Sequence, residues 1–168
     1  MTDAPPPRTL SDAEATALIE LLFFAYRDFV SDPDEILAGQ SFGRAHHRVI
    51  HFVGRDPGMT VAQLLDILRI TKQSLGRVLK ELISKGYIYQ REGEADRRQR
   101  LLHLSDRGEA LRQQLLVPQM ARVRRAMTEV AALSEPRFRD MLFHMISLEN
   151  RDDVRLWLKR AGQGSEHG

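Results

Sequence analysis

A chain of 168 residues with 42% apolar and 29% charged residues has enough apolar side chains to bury a core, which excludes an intrinsically disordered protein. Cysteine is absent, so disulfides, thiolate catalysis, zinc–thiolate sites and cysteine redox sensing are excluded. The net charge of +2 conceals an asymmetry: residues 1–40 hold two basic and eight acidic residues, 41–108 thirteen and seven, and 109–168 ten and eight. A basic middle between less basic flanks points to a polyanionic partner, with a solvated charged face as the bland alternative. No run of about 18 apolar residues is present, so no membrane span is expected. The first nine residues, with three consecutive prolines, do not read as a signal peptide. The expected location is cytoplasmic.

In chain order, Ser11 and Glu14 form a capping box. Behind it Ala15, Leu18, Ile19, Leu22, Tyr26, Phe29 and Val30 recur at helical spacing. This long first helix is expected to end before Pro33, with a further helical turn over 34–38 and a break at Gly39. Ser41 is the expected cap of a second helix, with Phe42, Ala45, His46, Val49, Ile50 and Val53 as its apolar stripe and Gly54 as its end. Asp56-Pro57-Gly58 is a turn. Thr60 and Gln63 make another capping box, followed by a short third helix bearing Val61, Leu64, Leu65 and Leu68. Arg69-Ile70 leaves room only for a tight connection. Thr71 then caps a fourth helix with Leu75, Val78, Leu79, Leu82 and Ile83 on one side, and Gly86 is its left-handed stop. Two short helices joined by a tight turn match a helix-turn-helix.

The period then shortens. Tyr87-Ile88-Tyr89 and Leu101 to Leu104 read as strands around a polar loop, which makes a charged β-hairpin. Ser105 starts a fifth helix, kinked at Pro118. Ser134 caps a single sixth helix whose apolar surface extends from Phe138 to Trp157. The stripes of the terminal helices need a partner, and a second copy of the chain is the simplest.

The segment Asp96-Arg97-Arg98-Gln99-Arg100-Leu101-Leu102-His103-Leu104-Ser105-Asp106-Arg107-Gly108 resembles the wing of the MarR family of transcriptional regulators. That pattern is Asp-x-Arg, then an apolar-x-Leu-(Thr/Ser) step, then glycine three residues on. Thr60 to Leu65 and Gly86-Tyr87-Ile88 resemble the family's first helix-turn-helix element and its exit into the wing. The resemblance is strong over about residues 41–110. It implies a mainly α fold with a small β-hairpin wing: a winged helix-turn-helix with long N- and C-terminal dimerisation helices. The implied division is a disordered arm at 1–10, a DNA-binding lobe at 41–105, dimerisation helices at 11–38 and 106–160, and a flexible tail at 161–168.

If the apolar side of the fourth helix faces the core, its opposite side presents Lys72, Gln73, Ser74, Gly76, Arg77 and Lys80 behind the capping Thr71. Gln73 suits adenine and Arg77 suits guanine, each as a bidentate pair in the major groove. Lys72 and Lys80 suit phosphates. Gly76 is unusual in a helix interior; it either permits close backbone approach or avoids a clash. On the hairpin, the resemblance implies that Asp96 holds the loop and Arg98 enters the minor groove, with Arg97 and Arg100 beside the phosphates. The plainer alternative is that Asp96 only caps the turn and Arg98 only pairs with Glu92 or Glu94.

His46, His47 and His51 cluster on the second helix. Three readings compete: packing at a domain junction, recognition of an effector, and a metal or haem site. The family binds small anionic or phenolic ligands between the dimer helices and the DNA-binding lobe. That implies a pocket near Tyr26, Phe29, His47 and His51. No phosphate loop, nucleophile elbow or paired-carboxylate site is present, so an enzyme is not expected, nor is a cofactor or a metal. The expected partners are double-stranded DNA, a second copy of the chain and, through the resemblance, a small-molecule effector. The expected function is a sequence-specific regulator that binds a pseudo-palindromic site as a homodimer. Repression is the output implied by resemblance and activation the alternative. A DNA-coating architectural protein of low specificity is the competing class.

Overall fold

The computed structural model describes residues 9–93, 96–130 and 135–163. Seven α-helices and three short strands are found among them: α1 (Asp12–Ala38), α2 (Arg44–Arg55), β1 (Met59–Thr60), α3 (Val61–Leu68), α4 (Lys72–Ser84), β2 (Ile88–Glu92), β3 (Arg100–Leu104), α5 (Asp106–Glu129), α6 (Glu135–His144) and α7 (Arg151–Gln163). A 3-10 turn at Leu148–Asn150 precedes α7. This is a mainly helical winged helix-turn-helix with long helices at both ends.

Local chemistry fixes the helix starts. Ser11 and Glu14 cap each other's backbone N–H groups across the first turn of α1, and Thr60 and Gln63 do the same for α3. Thr71 Oγ1 accepts from Ser74 N at 3.1 Å, and Ser105 Oγ accepts from Gly108 N at 3.1 Å. Each satisfies a backbone donor that the first turn leaves free. At the other end of α4, Gly86 adopts φ 75°, the left-handed stop that a side chain would disfavour.

Four expectations are corrected. First, α1 does not end before Pro33 but runs through it to Ala38. Second, Ser41 does not cap the second helix. It takes a left-handed φ of 58° in the turn that closes α1, where Phe42 N bonds Leu37 O at 3.0 Å. Gly43 is the cap residue of α2, its N–H donated to His46 Nδ1. Third, the sixth helix is two helices, α6 and α7. Arg151 donates to His144 O and Ile146 O, taking up carbonyls left free where α6 stops. Fourth, the hairpin has a third strand: β1 pairs with β3, Met59 opposite Leu102, giving the antiparallel order β1-β3-β2. Ser134, most of the arm at 1–10 and most of the tail at 161–168 lie outside the described residues.

The core sits in the central lobe. Leu37, Val49, Ile50, Val53, Leu64, Leu75, Leu82 and Leu102 have no exposed surface. Each such aliphatic side chain contributes about 1.5–3 kcal/mol by leaving water. α5 packs on α1 and α2, and Leu111 and Leu115 bring it into the same core.

Candidate nucleic-acid interface

α4 is held from within and bare outside. Leu75, Val78, Leu79 and Leu82 are buried, while Thr71, Lys72, Gln73, Ser74, Gly76, Arg77 and Lys80 are exposed. The helix carries one acidic residue, Glu81, and its carboxylate is engaged: Oε2 lies 3.0 Å from His46 Nε2. His46 Nδ1 accepts from Gly43 N at 3.2 Å, so Nε2 is the nitrogen that donates to Glu81. His46 thus ties the start of α2 to α4, which places it as a junction residue. Among the described residues, Lys72, Arg77 and Lys80 have no carboxylate partner, so the outward face is cationic and unneutralised. The hydroxyls of Thr71 and Ser74 are 2.9 Å apart and occupied with capping.

The wing turn is built by Asp96. Its Oδ1 accepts from Arg98 N at 2.9 Å, its carbonyl accepts from Gln99 N at 3.0 Å, and Gly93 N closes the loop onto Gln99 O. Asp96 therefore holds the backbone of Arg98. Arg97 and Arg98 sit exposed at the tip. Arg100 is paired instead: its Nη1 is 2.8 Å from Glu92 Oε1, across the rung where the two residues face each other. In the alternative reading Arg98 pairs with Glu92 or Glu94, but Glu92 is taken by Arg100. The other alternative partner, Glu94, lies outside the described residues.

The outer ladder of the wing was missed from sequence. Tyr89 stacks on His103 at 5.4 Å, and the Arg91 guanidinium lies 5.3 Å from the Tyr89 ring. Alternation along two paired strands is the signal that could have found it, since Tyr89 and His103 are register partners.

Neither of the two clefts found among the described residues is lined by the four expected ligand residues. Tyr26 is 49% exposed. Phe29 contributes its carbonyl to a hydrogen bond with Gln119. His47 and His51 are partly buried neighbours. Burial holds both imidazoles below the ordinary histidine range, His51 down to about 4 with help from the adjacent His47, Arg112 and Arg55. A cleft of about 1100 Å³ lies between α3 and α7, where Phe52, Asp66, Ile67, Arg69 and Trp157 line it. His51 meets Phe52 edge to face, and Phe52 meets Trp157 in the same way. Among the described residues, no group of three or more His, Asp and Glu side chains is arranged to hold a metal ion.

A helix-turn-helix with a carboxylate-free cationic face, followed by a hairpin with two arginines at its tip, defines a winged-helix DNA-binding protein. The comparisons agree. A MarR family model matches residues 41–99. The chain is 44% identical over 148 residues to the HTH-type transcriptional regulator PetP of Rhodobacter capsulatus, covering 86% of this chain and 89% of that protein. The chain belongs to the MarR family of transcriptional regulators. Its fold is similar to that of Streptococcus pneumoniae FabT in complex with DNA, with TM-score 0.58, 22% identity, and coverage of 86% of this chain and 97% of that one. It is also similar to Staphylococcus aureus MarR in complex with salicylate and kanamycin, with TM-score 0.61, 16% identity, and coverage of 83% and 92%. Among the described residues, no helix is long and apolar enough to cross a membrane.

Proposed function

We propose that this regulator reads a pseudo-palindromic operator as a homodimer and represses by occupying it. The observation that carries the reading is the outward face of α4, where Gln73 and Arg77 stand between Lys72 and Lys80 and the helix's one carboxylate is bound to His46. Gln73 and Arg77 meet base edges, Lys72 and Lys80 meet phosphates, and Arg98 enters the flanking minor groove with Arg97 beside it. The lobe at 41–105 binds DNA, and the helices at 11–38 and 106–160 hold the dimer. The dimer reading rests on α1, where Leu18, Ile19, Leu21, Leu22, Phe23 and Phe24 are all more than 40% exposed in the single chain. Such a surface is wider than a soluble monomer ordinarily leaves open. A small aromatic anion, like the salicylate of the staphylococcal complex, is the proposed effector, acting beside His47, His51, Tyr26 and Phe29 by favouring one spacing of the two lobes.

Selection of bound sequences from random duplex DNA tests this reading. A palindromic consensus with half-sites about one helical turn apart is the expected result. Binding with no preference over random duplex at the same salt concentration overturns it in favour of an architectural protein.

A further inference from the structure

Gly76 lies inside α4 on its exposed side. Glycine weakens a helix interior because it has the most backbone freedom to lose. Nothing within the fold requires it there. A Cβ built on Gly76 meets no atom within 4 Å, whereas one built on Gly108 would lie 2.1 Å from the Tyr87 carbonyl oxygen. Packing among the described residues therefore does not call for a glycine here.

The absent side chain opens a notch of about 550 Å³ on the flank of α4. Lys72 and Lys80 stand about one helical turn to either side of Gly76, and Val61, Leu79, Ile83, Ser84 and Gln90 complete the lining. At 1.5 Å per residue the two lysines are about 12 Å apart along the axis. The notch is thus largely apolar and cationic at both ends. That suits one occupant, the deoxyribose–phosphate strand, whose sugar is apolar at its C–H faces and whose phosphates are anionic.

We propose that the notch seats one strand of the duplex, with a deoxyribose against the main chain at Gly76 and flanking phosphates on Lys72 and Lys80. This rests on the reading of α4 as the groove-entering helix and adds to it a steric requirement. Helix stability is lowered at this position so that the backbone of α4 and the backbone of the DNA come closer than any side chain permits.

The test is Gly76→Ala in the full-length protein. The variant should melt roughly 2–4 °C higher, since alanine favours the helix and meets nothing. It should bind roughly ten- to a hundred-fold more weakly, as expected when a methyl group is forced into a filled contact. The loss should be equal for the selected site and for random duplex, with base preference and salt slope unchanged, because no charge and no base contact is removed. Binding as tight as the wild type overturns the proposal. So does a loss confined to one base position, which would put a base edge against Gly76 instead of the strand. A wild type without any preferred site would sink specific recognition, while the random-duplex arm would still decide the notch.

Discussion

Gln119 Nε2 donates to the carbonyl oxygen of Phe29 at 3.3 Å, and that carbonyl is the one Pro33 leaves without a helical donor. Gln119 is buried, and it arrives from α5 to mend α1. One turn along, Arg122 Nη2 reaches Asp32 Oδ2 at 2.9 Å, a second tie from α5 to the turn of α1 that precedes the proline.

Gln119→Leu should therefore destabilise the protein by about 1–3 kcal/mol, the cost of a buried acceptor left unpaired. In a Pro33→Ala background the restored amide can donate to Phe29, and the same change should cost far less. A double-mutant cycle in urea reads this difference. Equal costs in both backgrounds would show that Gln119 acts only by filling space.

Gly108 and Gly76 are expected to respond to alanine with opposite signs. At Gly108 the added Cβ would lie 2.1 Å from the Tyr87 carbonyl oxygen, which also accepts from Ser105 N and Oγ. The main chain cannot yield without breaking that junction between the wing and α5. Gly108→Ala should lose about 1–3 kcal/mol or more despite the better helix propensity of alanine. An unchanged urea midpoint would contradict this.

Much of the DNA-binding lobe was legible in the sequence because its signals are local. Capping pairs three residues apart, the Gly86 stop and the 3.6-residue stripe of α4 are each contained in one turn or one helix. Three of the four misreadings came from distance, while Ser41 was misread because its left-handed turn is set by local bonding. Pro33 reads as a helix end until Gln119, 90 positions away, supplies the missing donor. The two-residue β1 is too short to show a period, and only its pairing with β3 makes it a strand. The break between α6 and α7 carries an unbroken apolar pattern and is fixed by Arg151 folding back on His144 and Ile146. At the candidate site, residue type announced Arg77 and Lys80, but which arginine Glu92 would neutralise depended on strand register.

Acid should loosen the junction at His51. Its imidazole is held down to about 4 in the folded chain, first by burial and then by the positive groups His47, Arg112 and Arg55, against about 6.5 in an unfolded chain. Between these values the unfolded chain binds the proton and the folded chain does not. Stability is thus full above about pH 6.5, falls as the pH drops through this window, and levels off for this group below about 4. His47 shifts in the same direction. Thermal melts at pH 7.5, 6 and 5 should show a falling Tm, and His51→Leu should flatten the profile. A variant with the wild-type profile would assign the acid response elsewhere.

The chain should sediment at about 38 kDa at micromolar concentration, twice its 19.2 kDa. Phe23 is 68% exposed in the single chain. Phe23→Glu should place a charge in the proposed interface, shift the mass toward the monomer and weaken operator binding through loss of the second half-site. A wild-type monomer that binds one half-site with full affinity would end the dimer reading.

Arg77 and Arg98 should fail in different ways. Both guanidinium groups are exposed, and neither has a carboxylate partner among the described residues. Arg77 projects from a rigid helix, a geometry suited to a bidentate pair with guanine. Arg77→Ala should cost roughly 1–3 kcal/mol per half-site and relax preference at one symmetric position. Arg98 sits on a turn whose backbone Asp96 fixes, a geometry suited to a narrow minor groove. Arg98→Ala should weaken binding at flanking A·T-rich positions, through groove width instead of a hydrogen-bond pattern. Lys80→Ala supplies the contrast: it should weaken all sequences nearly equally and make the salt slope shallower by about one unit per contact. Arg100→Ala should do less than Arg98→Ala, because Glu92 already neutralises Arg100. Each variant measured against a library of sites at two salt concentrations separates these outcomes. A uniform loss with unchanged preference in Arg77→Ala would withdraw Arg77 from base reading and reduce it to a phosphate contact.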